Sequence, residues 1–75
     1  MNRYGDRHGD SGVVAYLAGP GSITVRFRDG CVYLYDDSNP GARHVAEMQR
    51  LATRGQGLNT YINKFVRGRY AARLE

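Results

Sequence analysis

Arginine is the residue type in this sequence with the clearest chemical capacity, and it is concentrated towards the C-terminus. Ten of the eleven lysine and arginine residues are arginine. Residues 50–75 carry six positive side chains and one negative side chain, for a formal charge of +5, whereas residues 1–49 sum to −1. Guanidinium groups bind phosphate in a bidentate manner and stack on aromatic rings. Charge gathered in this way is typical of a protein that binds polyanions.

The candidate nucleic-acid-binding residues belong to a predicted hairpin and to the basic C-terminal segment. Their cationic side chains would neutralise phosphates and release counterions, and an exposed tyrosine such as Tyr33 would stack on a base. The predicted nucleic-acid-binding set is Arg26, Arg28, Arg50, Arg54, Lys64, Arg67, Arg69, Tyr70 and Arg73. The alternative is that these cations form a solvated surface together with nearby acidic residues.

Catalytic chemistry finds little support in the residue types of the chain. Cys31 and His44 are the one nucleophile and base pair worth considering, and no third residue that would orient them is evident. His8, His44 and a single cysteine do not have the spacing of a zinc site. We therefore predict a non-enzymatic protein with no catalytic residues, no metal and no other cofactor, and with no small-molecule substrate implied.

The cellular compartment is indicated by the cysteine content and by the absence of long apolar runs. The single cysteine, Cys31, excludes a disulfide within the chain and fits a reducing compartment. No apolar run is long enough to span a membrane, and the chain begins with a polar segment rather than a signal peptide. These features predict a cytoplasmic protein with no membrane partner.

Three predicted strands would position the hairpin arginines. Residues 13–18 form a short run of β-branched and aromatic side chains, which ends at the turn residues Gly19-Pro20-Gly21. Residues 22–28 alternate apolar and polar side chains, the pattern of a half-exposed strand. Asp29-Gly30 then turns the chain into residues 31–36, so the sequence predicts a β-hairpin that carries both arginines and tyrosines.

The Asp29-Gly30 turn leaves two hairpin registers open. A two-residue turn places Val25 opposite Leu34 and directs Tyr33 and Tyr35 to the outer face. A three-residue loop, with the glycine in a bulge, places Val25 opposite Tyr33 and directs both tyrosines towards the core. Because a slip of one residue exchanges the two faces of a strand, the register decides whether the tyrosines are buried or exposed.

Two helices are predicted to follow the hairpin. The first begins near Ser38-Asn39-Pro40, where a capping side chain precedes a proline in the first turn, and it ends at Gly55. The second has apolar residues at i, i+3, i+4, i+7 and i+8, and it ends at Gly68. The apolar positions of the second helix are Leu58, Tyr61, Ile62, Phe65 and Val66.

The elements together predict an α+β domain in the order β-β-β-α-α, a three-stranded antiparallel β-meander followed by two C-terminal α-helices. Residues 1–12 are expected to be a flexible N-terminal lead-in, and residues 13–75 a single domain. The predicted core is Val14, Tyr16, Ile23, Val25, Phe27, Val45, Met48, Leu51, Leu58, Ile62, Phe65, Tyr33 and Tyr35.

An ordered set of motifs runs through residues 13–70 of the chain. It consists of Ile23-x-Val25-x-Phe27, Asp29-Gly30, Tyr33-Leu34-Tyr35, the helix near Pro40, Ala52-Thr53-Arg54-Gly55, and Leu58-Asn59 followed by Ile62. In this order the motifs resemble the KTSC domain, a family named for the C-terminus of lysyl-tRNA synthetase that also occurs as small stand-alone bacterial proteins. The chain departs from that family in its shorter Ala-Thr-Arg-Gly step, where the family usually has Ala-x-Ser-x-Gly, and in Leu34, where the family tends to have a polar residue.

The resemblance implies the fold of the KTSC domain and, through the attachment of that domain to a tRNA synthetase, RNA binding. We therefore expect a domain that binds RNA or another nucleic acid through its arginine-rich surface. The alternative is a protein–protein interaction or dimerisation module, whose partner would pair with an exposed sheet edge at residues 13–18 or cover a patch of Val32 and Leu34. RNA binding predicts strong salt dependence, whereas the alternative predicts salt-tolerant association.

Overall fold

The computed structural model describes residues 1–5 and 12–75, and it contains an antiparallel sheet of five strands with two helices packed on one face. The strands are β1 (Asn2–Arg3), β2 (Val13–Gly19), β3 (Ser22–Phe27), β4 (Val32–Asp36) and β5 (Ala72–Arg73), and their order in the sheet is their order in the chain. The helices are α1 (Ala42–Arg54) and α2 (Leu58–Tyr61), and α2 continues as a π-helix over Ile62–Val66. The α+β class is confirmed, and the sheet has two more strands than the three predicted.

The two additional strands are short segments near the chain ends, and each pairs with a strand of the predicted meander. β1 pairs with β2 and β5 pairs with β4, both antiparallel. Two-residue strands lack the length of alternating pattern that identifies a strand in a sequence, which is why they were missed. Because β1 pairs with β2 at Ala15 and Tyr16, the prediction that residues 13–18 form the sheet edge is wrong.

The first residues of the chain take part in the fold, although residues 1–12 were expected to be a lead-in. Tyr4 is buried, and its hydroxyl oxygen accepts a hydrogen bond from the backbone N–H of Leu58 at 3.1 Å. That bond satisfies one of the N–H groups that the first turn of α2 leaves without a helical partner. Residues 6–11, including His8, lie outside the described part of the chain.

The hairpin between β3 and β4 adopts the three-residue loop. The Phe27 N–H donates to the Cys31 carbonyl at 2.8 Å, and the Gly30 N–H donates to the Phe27 carbonyl at 3.0 Å. Gly30 has φ of 94°, a conformation that costs glycine little because it has no side chain. Val25 consequently lies opposite Tyr33, so Tyr33 and Tyr35 point towards the helices.

The start of α1 differs from the predicted capping arrangement. Gly41 is the residue before the helix, with φ of 115° and no side-chain hydrogen bond to the first turn. Ser38 and Asn39 instead donate their backbone N–H groups to the carboxylate of Asp36, at 2.9 and 3.3 Å. These hydrogen bonds, with that of the Ser38 hydroxyl foremost, lower the pKa of Asp36 below its ordinary value of 3.8. The predicted residues therefore form a turn that precedes the helix by several residues.

The second helix buries most of the predicted apolar face but not all of it. Its buried residues are Leu58, Ile62 and Val66, which are four positions apart. A π-turn has i→i+5 hydrogen bonds and more residues per turn than an α-helix, so a spacing of four keeps side chains aligned. Phe65 is rotated away from the core and is 51% exposed, which makes its predicted core position wrong.

The core lies between the sheet and the helices, and most of its predicted members are confirmed. The buried cluster consists of Tyr4, Val13, Ile23, Val25, Tyr35, Val45, Met48, Leu51, Ala52, Leu58, Ile62 and Val66. Tyr16, Phe27 and Tyr33 are partly buried against it, whereas Val14 is exposed in a β-bulge. The opposite sheet face is not covered by either helix, yet Val32 is buried there, so the expected patch of exposed Val32 and Leu34 is only partly present.

The helices in the described part of the chain are too short and too polar to cross a membrane. The longest, α1, has 13 residues, about 20 Å at 1.5 Å per residue.

Candidate functional site

A cleft of about 540 Å³ opens beside the helix-covered face of the sheet, between the β3–β4 loop and the end of the second helix. Its walls combine aromatic rings, two arginines and a few small polar groups. It is lined by Gly12, Phe27, Arg28, Asp29, Cys31, Tyr33, Tyr35, Ile62, Asn63, Arg67, Gly68 and Tyr70. We refer to this feature as the aromatic cleft. Its volume falls within the range of sites that bind small organic groups.

Three aromatic rings of the cleft contact one another. The centroids of Tyr33 and Tyr70 are 4.6 Å apart with planes inclined by 33°, and Phe27 meets Tyr33 edge-on at 5.6 Å. The hairpin register brings Tyr33 to this face. Tyr70 is held because its carbonyl accepts a hydrogen bond from the Asn39 side chain at 3.1 Å and because Ala71 N–H donates to the Leu34 carbonyl at 2.7 Å. The rings therefore form a supported surface rather than independent side chains.

Tyr35 is the most buried aromatic residue of the cleft, with 2% of its surface exposed. Its hydroxyl has no hydrogen-bond partner within the described residues. Every side-chain polar atom of those residues that is completely buried does have a partner. The hydroxyl oxygen is therefore accessible, and the cleft is the cavity that Tyr35 lines. Burial, with smaller contributions from Tyr33 and Tyr70, raises its pKa to about 12, so the hydroxyl is protonated at neutral pH and donates as well as accepts.

Two of the predicted arginines, Arg28 and Arg67, lie in the wall of the aromatic cleft. Arg28 is in the β3–β4 loop and Arg67 follows the π-helix, so the tertiary fold brings together cations that are far apart in the sequence. Arg67 is exposed and has no ion pair among the described residues. Arg73, in β5, places its guanidinium carbon 5.9 Å from the ring centroid of Tyr33, within the range of a cation–π interaction. The cleft thus combines positive charge with aromatic surface.

The other predicted cations do not line the cleft. Arg26 projects from the sheet face opposite the helices and pairs with Glu75 at 3.5 Å. Arg50 pairs with Glu47 on α1, and this hydrogen-bonded pair lowers the pKa of Glu47 and raises that of Arg50. Lys64 lies 5.8 Å from the exposed ring of Phe65. Arg54, at the end of α1, and Arg69 are exposed.

Of the nine predicted residues, the structure therefore brings Arg28, Arg67 and Tyr70 together, with Arg73 beside them. The other residues that line the cleft were outside the predicted set. Among them, Phe27, Tyr33 and Tyr35 were assigned to the core, and Asn63 was not considered. The signal for Tyr33 and Tyr35 was the Asp-Gly turn, which permits the register that directs both tyrosines inwards but does not select it.

The residues considered for catalysis are separated in the structure. His44 Nδ1 is 2.6 Å from the hydroxyl of Tyr61, so its hydrogen-bond partner is a tyrosine and not Cys31. Cys31 has its sulfur 3.5 Å from the Arg73 guanidinium. Residues 1–5 and 12–75 contain no group of three histidine, cysteine or acidic side chains that would hold a metal ion.

Comparison with known proteins returned no match: no protein-family model, curated protein or solved structure is similar to this chain. The resemblance to the KTSC domain therefore stays a prediction.

Proposed function

We propose that this protein is a non-enzymatic domain that binds single-stranded RNA in the aromatic cleft. Arg28 and Arg67 would contact the phosphate backbone, and the rings of Tyr33 and Tyr70 would provide the stacking surface. The observation that carries the proposal is the presence of two arginines in the wall of a cleft built from four aromatic side chains. The expected resemblance of the sequence to the KTSC domain supports the same function.

Single-stranded RNA is favoured because its bases are available to side chains. Proteins bind such strands with a positively charged groove that follows the backbone and with aromatic side chains on which bases stack. The stacked pair of Tyr33 and Tyr70 supplies rings of this kind. A paired duplex would fit the cleft less well, because its bases are already stacked on one another and its helical surface is broad compared with a cleft of about 540 Å³.

The proposal is tested by the salt dependence of binding to a labelled single-stranded RNA. If about five phosphates are contacted, the slope of log K against log salt is near −3.5, because each phosphate on a single strand contributes about 0.7. The double variant Arg28→Ala/Arg67→Ala should reduce that slope by about 1.4. The matched control is Arg50→Ala/Arg54→Ala, which removes the same charge from α1 and should leave a larger share of the affinity.

The outcomes separate the proposal from simple charge attraction. Equal losses in the two double variants would show that net charge alone drives association, and would contradict a site at the cleft. Absence of binding at low salt would reject the function. Single-stranded DNA of the same sequence is the third arm, and preference for DNA over RNA would reject RNA as the natural class of ligand.

A second function, association with a protein partner or with another copy of this chain, is favoured by the sheet face opposite the helices. Leu17 and Leu74 are each 53% exposed, and Val14 is exposed in the bulge of β2. Exposed apolar side chains are candidates for surfaces that other proteins cover. Sedimentation of the wild type and of Leu17→Asp would test it: salt-tolerant dimers lost in the variant support association, and a monomeric wild type rejects self-association.

A further inference from the structure

We infer that the aromatic cleft holds one unstacked base of the RNA, and that the Tyr35 hydroxyl hydrogen-bonds to the edge of that base. This inference rests on the proposed function, since it assigns a role within the same cleft. The observations that carry it are the burial of Tyr35, the accessibility of its hydroxyl and the composition of the cleft walls.

The hydroxyl of Tyr35 is the group in the cleft that a polar ligand would reach. The rest of the residue is buried, whereas the hydroxyl oxygen is accessible and therefore open to hydrogen bonding. Tyr35 is 2% exposed, and within the described residues its hydroxyl has no partner although every fully buried polar atom has one. A phenylalanine at this position would pack equally well in the absence of a ligand. The hydroxyl is therefore free to form a hydrogen bond with a group that enters the cleft.

The shape of a nucleobase matches the walls around that hydroxyl. A base has two flat apolar faces and an edge of hydrogen-bond donors and acceptors. The cleft offers the rings of Tyr33, Tyr70 and Phe27 together with the aliphatic side chain of Ile62, and it also contains polar side chains. Tyr35 and the exposed side chain of Asn63 are neutral groups that donate and accept, as an edge requires. A site of this kind orients its ligand through a small number of polar contacts.

Two of the charged residues that line the cleft, Arg28 and Arg67, fit the backbone on either side of such a base, whereas the third, Asp29, is an acid whose carboxylate accepts a hydrogen bond from the Cys31 N–H at 3.0 Å. Arg28 is on the hairpin loop and Arg67 follows the π-helix. With the base in the cleft, these guanidinium groups would contact the phosphates that precede and follow it. A phosphate without a base would leave the aromatic walls and Tyr35 unoccupied, and an apolar side chain of a peptide would leave the hydroxyl without a partner. A nucleotide within a single strand satisfies both requirements.

The test compares an intact short single-stranded RNA with the same RNA carrying one central abasic position. Each is titrated against the wild type, Tyr35→Phe and the control Tyr16→Phe, which removes a hydroxyl from a half-buried tyrosine that does not line the cleft. Removing the base should weaken wild-type binding at least about fivefold, the smaller end of measured stacking contributions. Tyr35→Phe should weaken binding of the intact RNA about three- to tenfold, as expected for one lost hydrogen bond.

The decisive quantity is the coupling between the two changes. If Tyr35 contacts the base, Tyr35→Phe has no effect on the abasic RNA, and Tyr16→Phe has no effect on either RNA. The thermal midpoint of Tyr35→Phe should equal or exceed that of the wild type, because no internal hydrogen bond is lost. An RNA that carries 2-aminopurine at the central position should also lose fluorescence on binding, through stacking against the tyrosines.

The possible failures are distinguishable. Salt-dependent binding of both RNAs with equal affinity, or a loss in Tyr35→Phe of the same size for both, would overturn the inference and leave the proposed function standing. Failure of both RNAs to bind the wild type at low salt would reject the proposed function itself.

Discussion

The helix-covered face of the sheet contains two regions that differ in composition and in exposure. Beneath α1 the face is sealed: Ile23, Val25, Val45 and Met48 are buried almost completely, and Gln49 closes its end by donating to the Gly19 and Ser22 carbonyls at 2.9 and 2.6 Å. Beside the end of the second helix the same face opens into the aromatic cleft. The sealed region is aliphatic, whereas the open region is aromatic and basic.

In this chain of 75 residues the two regions are suited to different roles, the sealed region to stability and the cleft to the proposed binding of RNA. A small domain buries a limited share of its surface, so each aliphatic contact under α1 matters for folding. Aromatic side chains are suited to the open region because one face of the ring packs while the edge or hydroxyl reaches solvent. We therefore expect changes in the sealed region to alter stability and changes in the cleft to alter binding.

The largest expected effect is that of Met48→Ala in the sealed region. Removing a completely buried side chain of this size lowers the free energy of unfolding by about 2–5 kcal/mol, because contacts are lost and a cavity remains. Urea denaturation followed by circular dichroism measures the change. Ile23→Val is the milder variant, with an expected loss of about 0.5–1.5 kcal/mol. If the folded Ile23→Val protein bound RNA with an affinity different from that of the wild type, the result would contradict the expected separation between the two regions.

Tyr70→Ala should have its main effect on RNA binding. Loss of one stacking surface weakens binding by about 1–3 kcal/mol, measured by fluorescence anisotropy of a labelled single-stranded RNA. Phe65→Ala is the control, since it removes an exposed ring that does not line the cleft. Equal losses in both variants would mean that exposed aromatic residues act without regard to their position.

Gly30→Ala probes the register on which the cleft depends. A Cβ at position 30 would meet no atom within 4 Å, so the cost is that of a left-handed backbone for alanine, about 1–2 kcal/mol. Thermal unfolding measures this loss. Amide hydrogen exchange across the hairpin shows whether the Phe27 N–H stays bonded to Cys31 or the loop shortens. A variant as stable as the wild type would contradict the observed loop conformation.

A smaller effect is expected from the ionisation of Tyr35 at alkaline pH. Its pKa is about 12 in the folded protein against an ordinary 10.0, because burial disfavours the charged form. The unfolded chain therefore loses this proton first, and the free energy of unfolding should fall as the pH rises from 10 to 12. Denaturation at several pH values should give a shallower fall for Tyr35→Phe. If the free energy of unfolding of Tyr35→Phe fell with pH as steeply as that of the wild type, other ionisable groups would be the cause of the alkaline loss.

Local patterns in the sequence were sufficient for much of the fold. The alternation over residues 22–28 and the Asp-Gly pair predicted the hairpin because both depend on neighbouring residues. The apolar stripe of α1 was confirmed for the same reason. The periodicity of the second helix was misleading at Phe65, because the pattern assumes an α-helix and the chain forms a π-turn there.

The candidate site was predicted less completely because its parts come from distant segments. Charge content identified Arg28 and Arg67 among eight cationic candidates, but it gave no reason to separate them from Arg26 or Arg50. Those two are paired with acidic residues on other surfaces, a relation that depends on where the helices and the C-terminus pack. The role proposed for Tyr35 also required knowing which atoms surround its hydroxyl.

Composition and contacts between near neighbours were enough to predict the strands of the meander, the first helix, the glycine that ends it and the excess of arginine. The hairpin register, the pairing of both terminal segments with the sheet and the meeting of two arginines with the tyrosines depend on contacts between distant segments. Both registers satisfy the Asp-Gly turn locally. The choice between them is made by the burial of Tyr33 and Tyr35 against helices that follow later in the chain.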